Sequence, residues 1–389
     1  MFRERRITAT TSVIFAAAWA APDARSDTVG RDVSFEAAYV SDVLSNVSGG
    51  VSRGVRYLDN LDLTLEADLG RAVGLADTTL FLYGLYNNGT GFSDGLVGDA
   101  QVVSNIEAPV AAFRLYEAWL EHRLFADAVS LRAGLYDVNA EFDALESAGL
   151  FLNSAHGIGT DIGQTGENGP SIFPVTALGL RAALRVGENW TARVAVLDGV
   201  PGNPDRPRRT AVSLGGGDGA FVIGELAYET DAIRLLAGHW RYTARFEDFS
   251  GAQARGNDGF YLRGETRLTS EAGDGAQGLS AFARLGAATG RFNMFDRFAS
   301  FGLVYTGPLP GRDEDRAGVA IAVAGTSDGF RETSPATGAE VAVELTYRFV
   351  LTDWLALQPD IQYIVNPGTD PTLSNALTLA IRAELNAPF

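Results

Sequence analysis

The stretch LDLTLEADL, residues 61–69, alternates apolar and polar side chains with a period of two. Successive side chains of a β-strand point to opposite faces of a sheet, so this stretch predicts a strand with one apolar and one charged face. The same alternation returns in EVAVELTYRF, residues 340–349, and in LTLAIRAEL, residues 377–385. We therefore expect a fold that is built from strands of this kind.

Alternating stretches recur along the whole chain, and sixteen of them are strand candidates. Most approach the length of about 9–11 residues that a tilted membrane strand needs, and the even number is typical of bacterial single-chain barrels. The candidates lie near residues 33–40, 61–69, 78–86, 112–122, 128–137, 176–186, 190–198, 219–228, 232–245, 259–269, 279–289, 298–306, 316–325, 340–350, 354–364 and 376–386.

The connections between these candidates differ in length in a regular order. Tight turns occur at residues 125–127, 187–189, 229–231 and 351–353. Long connections alternate with them near residues 87–111, 138–175, 199–218, 246–258 and 326–339, while 270–278 and 307–315 are intermediate. Outer-membrane barrels have short periplasmic turns and long outer loops, an asymmetry that a soluble β-sandwich has no reason to keep. We predict an all-β fold, a transmembrane antiparallel β-barrel of about sixteen strands.

The two ends of the sequence agree with export to the bacterial outer membrane. A basic start at residues 3–6 precedes an apolar run at 7–21 that is too short to span a bilayer. We predict a signal peptide over residues 1–26, cut after about residue 20 or 26, and a single barrel domain over 27–389. Phe389 closes an alternating last strand, as in barrels that the assembly machinery recognises.

Composition excludes several classes of function. The chain has no cysteine, so a thiolate metal site, a Cys nucleophile and a disulfide framework are all excluded. Its formal net charge of −17 opposes binding to nucleic acid. The three histidines have no second ligand at metal-binding spacing, and no phosphate-binding glycine loop is present. We expect no metal and no cofactor.

Several dispersed stretches together resemble one known family. They are GVRYLDN (54–60), SNIEA (104–108), RLYEAW (114–119), LRAGLYD (131–137), EFD (141–143), FLNS (151–154), GHWRYT (238–243) and LQPDIQY (357–363). In their number and order they resemble the carbohydrate-selective porin (OprB) family over nearly all of the mature chain. The resemblance implies a sixteen-stranded channel that passes carbohydrates by passive diffusion. It also implies contact with outer-membrane lipid, while association into a homo-oligomer is left open.

The connection at residues 138–175 is the candidate constriction. In such channels the long connection after the fifth strand is the usual one to fold inward, and a loop of this length without strand pattern favours a functional role. Residues 141–149 within it are a candidate short helix. Permeation would then be controlled where this loop narrows the lumen.

Alternation also predicts which side chains face the lumen. In the fourth strand, Tyr116, Ala118 and Leu120 suit lipid, so their neighbours face inward. Arginine donates hydrogen bonds to sugar hydroxyls, carboxylates accept them, and a Trp ring offers an apolar platform. The candidate pore-lining and substrate-contacting residues are Glu117, Trp119, Glu121, Arg181, Arg185, Arg263 and Glu265.

Three other functions stay open at this point. A general or ion-selective porin would have the same architecture. An outer-membrane barrel hydrolase would need a serine nucleophile such as Ser154 with a base such as His156. However, the close spacing of Asn153, Ser154 and His156 on one loop gives no sign of an oriented triad. A soluble periplasmic binding protein would show alternating strands and helices, which the sequence lacks. We expect a channel and not an enzyme.

Overall fold

The computed structural model describes residues 33–271 and 277–388. Within these ranges, sixteen antiparallel strands close into one barrel, because the first strand pairs with the last. In chain order the strands are β1 Val33–Gly50, β2 Gly54–Asp68, β3 Thr78–Asn87, β4 Ala112–Leu124, β5 Val129–Tyr136, β6 Ala177–Val186, β7 Trp190–Asp198, β8 Ala220–Glu229, β9 Ile233–Tyr242, β10 Asp258–Arg267, β11 Gly278–Ala288, β12 Phe295–Thr306, β13 Arg316–Thr326, β14 Ala339–Thr352, β15 Leu355–Val365 and β16 Ser374–Pro388. The predicted signal peptide and Phe389 lie outside the described residues.

In the described residues, helical structure is confined to short turns in the connections. No helix in the described ranges has the length and hydropathy needed to cross a membrane. The α-helical turns are α1 Leu69–Val73, α2 Ser154–Gly157, α3 Thr160–Gly163 and α4 Asp328–Thr333. Other turns are the π-helical Ser93–Val97 and the 3₁₀ turns Val138–Ala140, Ser147–Leu150 and Pro367–Thr369, and a small hairpin pairs Phe246–Glu247 with Gln253–Ala254.

The side chains divide between the two faces of the wall as the alternation predicts. On β6, Leu180 is 65% exposed on the outside, whereas the next residue, Arg181, is 4% exposed in the lumen. On β10, Leu262 and Arg263 divide in the same way. A charge on the lipid face of a membrane barrel costs about 2–4 kcal/mol near the midplane, so the alternation has an energetic cause.

The predicted bounds of the first two strands are wrong. β1 continues past residue 40 to Gly50, and β2 begins at Gly54 instead of residue 61, so the short connection 51–53 joins the two strands. The reason is that alternation continues in β1, where Asp42, Leu44 and Asn46 are buried inside the barrel. The sequence does not show this burial, because the partners come from a distant segment: Ser104 donates to Asp42, and Asn46 donates to the carbonyl of Leu96.

Tyr116 also departs from its predicted lipid-facing position. The register of β3 against β4 shifts here, because Tyr83 pairs with Glu117 and Gly84 pairs with Leu115. Tyr116 is therefore the extra residue of a β-bulge, and its ring is buried on the lumen side. The bulge therefore turns the Tyr116 phenol into the lumen, whereas strict alternation would point it toward lipid.

The connections form two unlike rims. Those at 125–128, 187–189, 230–232 and 353–354 lie on one rim, which we call the short-turn rim. Most connections on the opposite rim are longer. Two of these, residues 88–111 and 137–176, fold into the lumen and pack there against the inner face of the wall. Most of the largest fully buried aromatic side chains cluster at this contact, so the core of the protein lies inside the barrel.

Candidate functional site in the barrel lumen

Residues 137–176, here called the crossing loop, run from β5 across the lumen and include the predicted constriction at 138–175. The predicted helix at 141–149 is present only as the 3₁₀ turn Ser147–Leu150. The loop is first held at β6, where the Arg181 guanidinium donates to both carboxylate oxygens of Glu141, at 2.8 and 2.7 Å. Burial alone would raise the pKa of Glu141, but Arg132 and Arg181 outweigh it and lower the pKa to about 2.

The middle of the crossing loop is held by a buried charge cluster. Arg284 on β11 donates from Nε to Asp143 at 2.9 Å and from Nη1 to Asp161 at 2.7 Å. Arg263 on β10 donates to the carbonyl of Gly157 at 2.7 Å and also bonds Asp143. Planar guanidinium groups suit such multiple bonds, and each charge here has an opposite partner.

The far end of the loop reaches the opposite wall. The carboxylate of Glu344 on β14 accepts from the backbone amides of Leu152 and Asn153, at 2.5 and 3.1 Å. Gln358 on β15 donates to the carbonyl of Leu150 at 2.7 Å. The crossing loop is therefore bonded to strands on both sides of the barrel, which fixes its position across the lumen.

Residues 88–111, here called the second loop, connect β3 to β4 and enter the lumen from the same rim as the crossing loop. Glu340 on β14 accepts from the amides of Ala100 and Gln101, both at 2.8 Å. Ser104 donates to Asp42 on β1 at 2.6 Å, and the amide of Asn105 donates to Leu152 of the crossing loop at 2.7 Å. The two loops are thus joined to each other as well as to the wall.

A cavity of about 230 Å³ remains between the two loops and the wall formed by β1 to β4. We call this space the passage. Its wall side carries Val40, Asn60, Asp62, Tyr83 and Tyr116, and Arg382 on β16 also borders it. Its polar residues from the two loops are Gln101, Asn105, Glu107, Asp137, Asn139, Ser154, Thr160 and Gln164.

Two phenol–carboxylate pairs dominate the wall side of the passage. Tyr83 donates to Asp62 at 2.8 Å, and Tyr116 donates to Asp137 at 2.5 Å. The two rings pack edge to face with centroids 4.9 Å apart. Burial raises the pKa of Asp137 to about 6, against the opposing effect of the Tyr116 hydroxyl and nearby backbone amides.

The predicted site residues on β4 face the lumen but lie beneath the crossing loop. Glu117 accepts from Trp119 Nε1 and from the amide of Asp137, both at 3.1 Å. The Trp119 ring stacks on Phe81 at 4.8 Å, and the Arg132 guanidinium lies 3.7 Å from its centroid on the ring face. The Trp119 ring therefore already has close neighbours in the positions where a sugar would stack.

The other predicted residues have partners of their own. Glu121 accepts from Arg132 and Arg181, both within 2.8 Å. Glu265 accepts from the amide and hydroxyl of Ser147, at 2.9 and 2.5 Å. Arg185 is exposed near the short-turn rim. None of the seven borders the passage as described, and their contact with a permeating sugar stays a prediction.

The residues that do border the passage were missed because the covering loops decide which lumen faces stay open. A signal was present, since Asn60, Asn105 and Asp137 all lie in the stretches that carry the family resemblance.

His156, a candidate base, is fully buried, and neither ring nitrogen has a hydrogen-bond partner among the described atoms. Burial and the charge of Arg263 lower its pKa to about 3. No group of three potential metal ligands occurs in the described ranges.

Comparison with known proteins gives one consistent result. A family model described as "Carbohydrate-selective porin, OprB family" matches residues 52–386. Porin B of Pseudomonas aeruginosa is 25% identical over 92% of this chain and 88% of its own. The high-pH structure of Pseudomonas putida OprB superposes with a TM-score of 0.83 at 21% identity, covering 94% of this chain and 97% of that one. A triple mutant of Rhodopseudomonas blastica porin has a TM-score of 0.56 at 9% identity, covering 91% and 100%.

Proposed function

The chain belongs to the OprB family of carbohydrate-selective porins, and on that premise we propose that sugars cross its barrel through the passage beside β1 to β4. The protein is an outer-membrane porin, and carbohydrates diffuse through its water-filled lumen without an energy source. The observation that carries the proposed route is the position of the crossing loop, which is bonded to opposite walls and leaves a polar-lined cavity between itself, the second loop and β1 to β4.

The lining suits a molecule that is rich in hydroxyl groups. Asn60 Oδ1 and Gln101 Oε1 are acceptors without a hydrogen-bond partner among the described residues, and the carboxylates of Asp62 and Asp137 also accept. Each such contact is weak on its own, and a channel needs binding that is favourable enough for entry and weak enough for release. We assign substrate contact to these residues.

The seven residues predicted from the sequence take a different role in this proposal. Six of them, all but Arg185, build the part of the wall on which the crossing loop rests. Glu121 and Arg181 belong to the charge pairs at β4 and β6, and Arg263 and Glu265 bond loop atoms from β10. They act on permeation by fixing the loop, and the loop sets the width of the passage.

Other features of the chain complete the proposal. The outward face of the strands is apolar and suits contact with outer-membrane lipid. We propose that residues 1–26 direct export, that residues 27–389 form one barrel domain, and that Phe389 serves assembly. A Ser–His hydrolase is not supported, because the imidazole of His156 packs between Phe151 and Phe282 and has no hydrogen-bond partner in residues 33–271 and 277–388.

Conductance in planar bilayers, with sugars of increasing size titrated in, tests the proposal. We expect a saturable fall in current with sugar, and a weaker fall in the Asn60→Ala variant. The matched control is Asn189→Ala, which removes an amide at the short-turn rim. Current that is indifferent to every sugar would reduce the function to that of a general porin, and absence of current from folded protein would exclude a channel.

A further inference from the structure

The charges of the lumen are distributed unevenly. Where the crossing loop meets the wall, buried arginines have carboxylate partners within 3.2 Å: Arg132 and Arg181 with Glu121, and Arg263 and Arg284 with Asp143. The half-buried Arg193 pairs with Glu225 in the same way. Arg382 borders the passage, but its guanidinium donates twice to Asp42 at 2.8 Å. The positive charge that reaches the passage is therefore already neutralised.

The carboxylates of the passage have no such partners. Asp62, Glu107 and Asp137 form no ion pair within residues 33–271 and 277–388. Asp62 and Asp137 accept from phenols, and Glu107 accepts from the backbone amides of Phe92 and Ser93, at 2.8 and 3.0 Å. Neutral donors leave the negative charge of a carboxylate in place. The lining of the passage therefore carries an excess of negative charge.

Two buried acceptors in the same lining lack a donor. Asn60 is 4% exposed and Gln101 is 1% exposed, and both border the passage. Asn60 Oδ1 and Gln101 Oε1 have no hydrogen-bond partner among the described atoms. A buried acceptor that is left unsatisfied is costly, so these positions call for a molecule that brings hydrogen-bond donors.

The aromatic groups fit the same kind of molecule. Tyr83 and Tyr116 border the passage with their rings nearly perpendicular, at an interplanar angle of 82°. The face of a tyrosine ring attracts cations through its quadrupole. An ammonium group supplies three donors and a positive charge, and has no acceptor to be repelled.

We propose that the passage prefers carbohydrates that bear an ammonium group, the amino sugars, over neutral and anionic sugars of similar size. This rests on the proposed function, because it names the substrate class of the same channel. The ammonium group is held near Asp62 and Asp137, beside the two tyrosine rings. A sugar acid meets the same carboxylates with a like charge and is disfavoured.

Uptake into proteoliposomes tests the proposal. The protein is reconstituted with equal potassium chloride on both sides, and the entry of labelled glucosamine, N-acetylglucosamine and glucuronate is measured at neutral pH. We expect glucosamine to enter fastest and glucuronate slowest. The ratio of glucosamine to N-acetylglucosamine entry falls about fivefold in Asp62→Asn, the effect of removing one nearby unit charge in a hydrated site.

Controls keep the outcomes distinct. Asp231→Asn makes the same chemical change in an exposed turn of the short-turn rim and is expected to keep the wild-type ratio. Asp137→Asn is a second test variant if Asp62→Asn does not fold. Equal entry of all three sugars would overturn the preference while leaving the channel in place. Failure of all three to enter through folded wild-type protein would instead overturn the proposed function.

Discussion

The wall beneath the crossing loop and the wall beside the passage use charge in opposite ways. Under the loop, at β6, β10 and β11, arginines and carboxylates are buried in pairs and each charge has a partner. Beside the passage, Asp62 and Asp137 bond only neutral groups. Burying a charge is costly unless it is paired, so the paired side can be closed and rigid. The unpaired side must remain hydrated or take up a ligand.

This contrast explains how one barrel has both a fixed loop and a selective opening. The paired charges hold the loop and have no free capacity for substrate. The unpaired groups border the passage and form no ion pair among the described residues, so they keep their capacity for substrate. Substitutions on the two sides should therefore have different consequences, and the following predictions test this separation.

The largest effect is expected from Arg284→Met on the paired side. The change leaves Asp143 and Asp161 buried without their main partner, and loss of one member of a buried ion pair costs about 3–5 kcal/mol. We expect a lower free energy of unfolding in urea and a larger, unsteady conductance, because the middle of the loop is released. Arg185→Met, at an exposed position, is the control, and equal behaviour of the two variants would contradict the anchoring role.

A smaller effect is expected from Glu344→Ala at the far end of the loop. The amides of Leu152 and Asn153 lose their acceptor, and each unsatisfied buried donor costs about 1–3 kcal/mol. Single-channel recordings should show flicker, while sugar affinity changes little. Glu188→Ala on the short-turn rim is the control. If the Glu344→Ala variant conducts as steadily as the wild-type protein, the attachment at the far end of the loop is dispensable.

On the unpaired side, Tyr83→Phe should change selectivity more than stability. It removes one hydrogen bond to the charged carboxylate of Asp62, worth about 1.5–3 kcal/mol, and keeps the ring. We expect normal conductance and a changed concentration of sugar at half-maximal block. Tyr228→Phe, on the outer face beside Trp190, serves as the control. A collapse of conductance in Tyr83→Phe would place this side chain among the anchors instead.

The smallest effect is a change with pH. Burial raises the pKa of Asp137 to about 6. The ionised carboxylate therefore lowers the stability of the folded state, and this destabilisation decreases as pH falls through about 6. The pKa of Glu141 is lowered to about 2, so its stabilising charge is lost only as pH falls through about 2. As pH falls from about 7 to 5, where the amino group of the sugar stays largely protonated, amino-sugar preference should therefore decline while the loop stays anchored. Loop release in that window, seen as unsteady current, would contradict these assignments.

Much of the fold could be predicted from sequence, because strand alternation is a local property. In the strand at residues 377–385, the alternation of apolar and polar residues alone predicts which side chains face lipid, whatever the neighbouring strands are. The orientation of Tyr116 could not be predicted from alternation, because a bulge depends on the register against a neighbouring strand. The lengths of β1 and β2 could not be predicted either, because Asp42 and Asn46 are covered by a loop that is distant in sequence.

The site was harder to predict for the same reason. Glu117, Arg181 and Arg263 face the lumen as alternation requires, but alternation cannot show that a loop covers them. Asp62 has the same pattern and lies beside the passage. The two kinds of lumen residue differ only in what packs on them, which is set by contacts between distant parts of the chain.

The absence of cysteine allows one direct test of the route, because an introduced thiol is the only one in the protein. Asn60→Cys places it beside the passage, and Ala195→Cys places it on the fully buried lumen face of β7, within the aromatic core that the crossing loop covers. A charged methanethiosulfonate reagent is added to single channels of each variant. We predict a stepwise change in current and sugar block for Asn60→Cys and no reaction for Ala195→Cys. Rapid modification of Ala195→Cys with an inert Asn60→Cys would contradict the proposed route.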